Sequence, residues 1–267
     1  MILHRAVKLA STVIGPLFSS STYTIKHGIA RGLKRRGGLG FLAFSAPPLT
    51  KEEQFLVDLN LTGQVVYDVG GHHGLYALFF ARAVGPRGRV ISFEPNTDSV
   101  SQIRGNLALN RFTHGEVRQT ALGAEAGEKE FVIPQGQRGG TSGDAELAAA
   151  YRAEVKTESI RVPVDTLDRQ AQTLPPPTFI KVDVEGMEIE VLRGARETLM
   201  RARPTLFVEI HGTTPESKRA HADGVIALLL AAGYRCQQVE SGAWLDAAAP
   251  VWDRSGHIYA VPADRRV

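Results

Sequence analysis

Residues 65–95 read VVYDVGGHHGLYALFFARAVGPRGRVISFEP. An apolar run, Val65-Val66-Tyr67, ends at Asp68, and the glycine-bounded turn Gly70-Gly71-His72-His73-Gly74 follows. Apolar residues at three- and four-residue spacing (Leu75, Leu78, Phe79, Ala81) then predict a helix. Gly85-Pro86 and Gly88 close it. A second apolar run, residues 90–93, ends at Glu94. Strand, glycine turn, helix, strand is one βαβ unit.

That unit prescribes chemistry. Glycines in the first turn let backbone approach a ligand that a Cβ would exclude, and the helix start offers unpaired N–H groups. An acid at the tip of the second strand can hold both hydroxyls of a ribose, and Glu94 follows Gly74 at the spacing of about 20 residues expected in nucleotide-binding folds. Pro95 and Asn96 continue that tip. The dinucleotide pattern G-x-G-x-x-G is not met. The turn instead reads Asp68-x-Gly70-x-His72-x-Gly74, with an acid where a pyrophosphate would be repelled and an ammonium welcomed. S-adenosyl-L-methionine carries an ammonium, a ribose and a sulfonium. The plain alternative is that the glycines serve packing alone.

At 267 residues and 43% hydrophobic, the chain holds one large α/β domain and a short extension. Its single cysteine, Cys236, excludes an internal disulfide and a cysteine-rich zinc site, and reads as a core thiol in a reducing, cytoplasmic setting. Charge is unevenly spread. Residues 1–51 hold eight Lys and Arg and no Asp or Glu, so the rest carries −5 against the chain's +3. Such asymmetry points to an anionic partner or to an arm folding back on an acidic body.

Residues 2–18 form an amphipathic pattern too short to span a bilayer. The readings are an interfacial helix peripheral to a membrane, a helix packed on the main domain, or a targeting segment. Residues 31–44 are basic then apolar, read as an anionic-surface contact or a solvated basic loop. Nucleic acid is disfavoured, because no RNA-module aromatic pattern accompanies the charge. Thr50 and Glu53 form a capping box opening a helix, so the domain is set at 51–267 and the basic extension at 1–50.

Further along, residues 96–110 predict a helix, 116–122 a third strand and 129–134 a short strand. Residues 136–143 are a polar glycine-rich loop. Strands are expected at 160–164, 179–184 and 206–210, helices at 188–201 and 215–232, and two final strands at 234–239 and 257–261. The alternation predicts an α/β, Rossmann-like, mostly parallel doubly wound sheet.

With these pieces in view, roughly residues 52–212 resemble the FkbM family of S-adenosylmethionine-dependent methyltransferases. The likeness rests on VVYDVGGHHGLYALFFA, RVISFEPN, NLALN, TALG, VPVDTLD, FIKVDVEGMEIEVLRGA and RPTLFVEIH. His72 departs from the pattern, standing where the family carries Asn. The resemblance implies a class I methyltransferase fold and O-methylation of a sugar, glycolipid or natural-product hydroxyl, with a small-molecule or glycan acceptor. It also implies that Ala121 and Leu122, with Thr120, flank the adenine. Two other classes stay open: a Rossmann-type oxidoreductase, and a non-catalytic membrane- or partner-binding protein resting on the basic N-terminus.

For the reacting end, Asp183 and Glu185 flank one Val, and an extended strand would point both the same way. Glu209 and His211 share that spacing. The expectation is that Asp183 orients the acceptor or the methionine moiety, and that His211 or Glu209 takes the proton. Helix capping by Glu185 is the alternative. The same acids and His211 could hold a divalent cation, but their convergence is not legible in the sequence, so no metal is assigned. Oligomeric state is not read.

Overall fold

The computed structural model describes residues 21–37, 48–134, 140–245 and 256–265. The expectations for residues 2–18, for 38–44 and for part of the 136–143 loop lie outside them.

Continuous apolar runs make parallel strands buried on both faces. β3 (Val65–Val69), β4 (Arg89–Phe93), β9 (Phe179–Val182) and β10 (Thr205–Glu209) are of this kind and pair in parallel. With β5 (Gly115–Arg118), β11 (Tyr234–Gln238), β12 (Trp244–Leu245) and β13 (His257–Pro262), they form an eight-stranded sheet in the order β12-β11-β13-β10-β9-β3-β4-β5. β13 lies antiparallel between β10 and β11. The two final strands are therefore neighbours, and one of them intrudes beside β10.

Alternate side chains feed opposite cores. Val66, Val90, Phe179 and Phe207 pack under α1 (Lys51–Asp58), α2 (Leu75–Val84) and α3 (Thr97–Leu109). Tyr67, Ile91, Ile180 and Val208 pack on the other face, with α8 (Pro215–Ala231). Thr50 closes the expected capping box on α1. Cys236 is buried, and burial pushes its thiol up to about 12, that of an inert core residue.

Several boundaries differ from the sequence expectations. The strand expected at 116–122 splits: β5 ends at Arg118, and β6 (Ala121–Leu122) joins a separate small sheet with β7 (Gly127–Pro134) and β8 (Thr157–Asp165). Thr120 marks the crossing, its hydroxyl donating to Pro163 O at 3.1 Å. The helix expected at 188–201 breaks into α6 (Glu188–Arg193) and α7 (Arg196–Arg201). The break is at Gly194, where a Cβ would come 2.0 Å from Gly123 O, so the chain bends around that contact. The strand expected to 184 stops at Val182. The basic stretch read as a loop contains β2 (Lys34–Arg36), paired antiparallel with β1 (Thr22–Thr24). α4 (Ala145–Glu154), capped by Asp144, was not assigned from sequence, nor was the short α5 (Leu167–Ala171). Among the described residues, no helix is long and apolar enough to cross a membrane.

Candidate active site

Open parallel sheets leave a crevice at the carboxyl ends of their strands, and here a cleft forms there. Val69 ends β3 and Gly70 and His72 follow it, Glu94 and Pro95 follow β4, and Asp183, Val184 and Glu185 follow β9. Ala121, Leu122 and Phe131 wall the cleft from the small sheet.

The first turn is built by backbone. Gly70, at φ +88°, lies so close to the β9 turn that a Cβ would meet Asp183 O at 1.7 Å. Gly70 and Gly71 both donate to Phe93 O, at 3.0 and 3.1 Å, tying the turn to β4. His72 sits at φ +43°, a left-handed conformation in which Asn, Asp and His are enriched. That conformation is the physical reason a histidine can stand in an asparagine's place. Its backbone N–H donates to Glu94 Oε2 at 2.8 Å, and Asn96 N–H donates to Oε1 at 2.9 Å. Burial pushes Glu94 up to about 7, against the pull of those two hydrogen bonds. Burial also lowers the pKa of the His72 and His73 imidazoles, His73 down to about 3.

Three sequence candidates stand behind the wall. Asp68 is fully buried; Oδ2 accepts from Ser92 Oγ at 2.9 Å, while Oδ1 is buried without a hydrogen-bond partner. Gly74 is the left-handed N-cap of α2 and packs on Ile103. Asn96 caps α3 through its side chain.

At the other end of the cleft, charge converges. Glu185 lies in a turn at φ +51° rather than on a strand, so the extended-strand argument for its direction fails. Tyr151 Oη nevertheless donates to its Oε2 at 2.8 Å and Gly140 N–H to its Oε1 at 2.9 Å. Asp183 Oδ2 pairs with Lys181 Nζ at 2.7 Å. Lys181 is buried in β9, its ammonium 4.4 Å from the Tyr76 ring centroid. Sequence reading passed over it; a lysine inside the run FIKVDV was the available signal, since a buried ammonium demands partners.

His211 Nδ1 lies 2.8 Å from Glu188 Oε1, and Glu188 is fully buried. His221 Nε2 approaches Glu188 Oε2 to 2.7 Å, close as an ion pair though not aligned as a hydrogen bond. His211 Nε2 faces Asp183, Glu185 and Glu209 at 3.7, 3.6 and 3.8 Å. Burial alone would lower the His211 pKa, but the Glu188 bond and the surrounding carboxylates raise it to about 10. At neutral pH the free ring is therefore an imidazolium, contrary to the expectation of a neutral proton acceptor. Glu209 is held down to about 2, its burial outweighed by His257 and His211.

These residues fit S-adenosylmethionine. Each Glu94 oxygen accepts one N–H and keeps a lone pair for a ribose hydroxyl. Ala121 and Leu122 offer an apolar wall for a flat base, and the acids at the β9 turn suit an ammonium. The fit agrees with what the chain is similar to. It is 29% identical over 156 residues to the hexuronic acid methyltransferase AglP of Haloferax volcanii, covering 57% of this chain and 58% of that protein. It is 27% identical over 176 residues to the 31-O-demethyl-FK506 methyltransferase FkbM of Streptomyces tacrolimicus, covering 56% and 66%. The chain thus spans less than two thirds of these relatives. A methyltransferase FkbM from Methylobacillus flagellatus superposes with a TM-score of 0.49 at 17% identity, over 77% of this chain and 45% of that one. The model of the methyltransferase FkbM domain matches residues 68–236, from the buried acid of β3 through the whole cleft, and the chain belongs to that family, whose methyl donor is S-adenosylmethionine.

Proposed function

We propose that the chain is an O-methyltransferase, moving the methyl group of S-adenosylmethionine onto a hydroxyl of a sugar, glycolipid or natural product. The observation that carries this reading is one wall holding Glu94 at one end and Asp183 and Glu185 at the other. The relatives' names, a hexuronic acid methyltransferase and a methyltransferase acting at an oxygen, support a hydroxylated acceptor. Residues 51–267 would form the catalytic domain.

The cofactor supplies an electrophilic methyl carbon on a sulfonium. Glu94 accepts from both ribose hydroxyls and fixes the donor's position. Asp183, itself fixed by Lys181, orients the acceptor so that oxygen, methyl carbon and sulfur align. The oxygen–methyl bond forms as the methyl–sulfur bond breaks, its electron pair stays on sulfur, and the hydroxyl proton leaves to Asp183 or Glu185 on the wall.

Calorimetry with S-adenosylhomocysteine tests the donor half. Losing a charge-assisted hydrogen bond costs about 1.5–3 kcal/mol, so Glu94→Ala is expected to weaken binding roughly ten- to hundredfold. Unchanged affinity would remove Glu94 from the site. Transfer of labelled methyl to a panel of uronic-acid glycans and polyketide alcohols tests the acceptor half.

A further inference from the structure

Beside the Asp183 wall of the cleft, three side chains from the ends of β9 and β10 converge. Asp183, Glu209 and His211 each bring one ligand atom within 4.8 Å of the other two, and His211 Nε2 faces Asp183 Oδ1 and Glu209 Oε1. Each belongs to a group whose other polar atom faces a different partner. Asp183 Oδ2 is taken by Lys181 at 2.7 Å, His211 Nδ1 by the buried Glu188 at 2.8 Å, and Glu209 Oε2 faces His257 Nε2 at 3.5 Å. His211 Nε2 also faces Glu185 Oε2 at 3.6 Å, an oxygen already taken by the Tyr151 hydroxyl at 2.8 Å. The Nε2 separations of 3.7 Å to Asp183 and 3.8 Å to Glu209 are too long for hydrogen bonds.

They are the right length for something else. Ligands bound at about 2.1 Å stand roughly 3–4.2 Å apart, depending on the angle at the metal. A histidine whose far nitrogen is held by a carboxylate is also the usual support of a metal-bound imidazole, because that contact fixes the ring and raises its basicity. Two carboxylate oxygens and one imidazole suit a borderline divalent cation such as Mn²⁺ or Zn²⁺.

We infer that Asp183, Glu209 and His211 form a divalent-cation site at the acceptor end of the cleft. On binding, the cation replaces the proton on His211 Nε2, which goes to solvent. The site deepens the methyl-transfer reading and rests on it for its role. The cation would ligate the acceptor hydroxyl and make its proton easier to lose, and Glu185, outside the ligand set, would receive that proton.

The test uses the full chain stripped with EDTA and titrated with Mn²⁺, bound metal being counted by electron paramagnetic resonance. One Mn²⁺ per chain is expected in the parent and in Glu94→Gln, with a metal-dependent rise in Tm. Glu209→Gln and His211→Asn should weaken Mn²⁺ binding by at least about tenfold, and Glu209→Gln should keep S-adenosylhomocysteine binding, showing that it folds. No Mn²⁺ bound by the parent at millimolar concentration, or parental affinity in Glu209→Gln, would overturn the site. Failure of S-adenosylhomocysteine to bind the parent would instead strike the methyl-transfer reading and leave the metal count standing.

Discussion

Glu94 carries two demands at once: it must be ionised to accept from a ribose diol, and burial pushes its pKa up to about 7. The sign of the consequence follows. Below that pH the carboxyl holds a proton and loses acceptor capacity, so S-adenosylhomocysteine affinity should rise with pH between 6 and 8 and then level off. Burial lowers the pKa of both neighbouring imidazoles, His73 to about 3. Calorimetry at stepped pH checks this, and a flat profile would mean that Glu94 does not titrate with binding. Lys181 makes a second residue-scale case. It sits between Asp68 and Asp183, whose charges outweigh its burial and raise its pKa. Removing one partner of a buried pair costs about 3–5 kcal/mol, so Lys181→Met should lower stability by that order in a denaturant titration. Glu94 was legible in the sequence, because it ends a strand at a fixed distance from a glycine turn. The partnership of Lys181 with Asp68 was not, because Asp68 comes from a different strand that only the sheet lays beside it, although Asp183 stands two positions on in the sequence.

Elements were legible where one period ran unbroken. The buried parallel strands and α8 were read from their apolar pattern and their Gly and Pro punctuation. Residues 116–122 were misread as one strand, because alternation does not reveal which sheet a residue joins. The sequence from Asp144 to Glu154 did carry a helix signal, an N-cap followed by alanines and glutamates; with it would have come Tyr151, which fastens Glu185. The break between α6 and α7 was invisible, since its cause is a carbonyl 71 positions earlier, that of Gly123. A pair of substitutions separates local from tertiary causes. Gly194→Ala forces a Cβ against Gly123 O and should cost more than about 2 kcal/mol. Gly105→Ala lies within α3 with nothing inside 4 Å of its new methyl, and should stabilise by about 0.5–1 kcal/mol. Thermal unfolding of both reads the contrast, and equal shifts would refute it.

At the scale of the molecule, the charge asymmetry of the sequence meets a definite surface. The β1–β2 hairpin lies against the body through Ile29, whose carbonyl accepts from Arg82, and through Asn106 and Asn110, which accept from the backbone of Arg36 and Lys34. Those bonds use the hairpin's backbone. The side chains of Arg31, Lys34 and Arg36 stay exposed while Arg35 is turned partly inward, so the pairing that docks the strand also presents cations outward. With eight cations and no acid in residues 1–51, the extension is proposed to meet an anionic surface. Attraction of about 1 kcal/mol per basic residue makes such contact strong at low salt and weak once screening shortens its reach. Flotation with phosphatidylserine-containing vesicles should therefore carry the full chain at low salt and release it as salt rises. Replacing Arg31, Lys34 and Arg36 together by Glu should reduce flotation and leave S-adenosylhomocysteine affinity unchanged, because all three lie outside the cleft wall. If the parent stays in the unfloated fraction at low salt, the charge belongs to folding of the extension onto the acidic remainder, and the triple variant should then lower Tm instead.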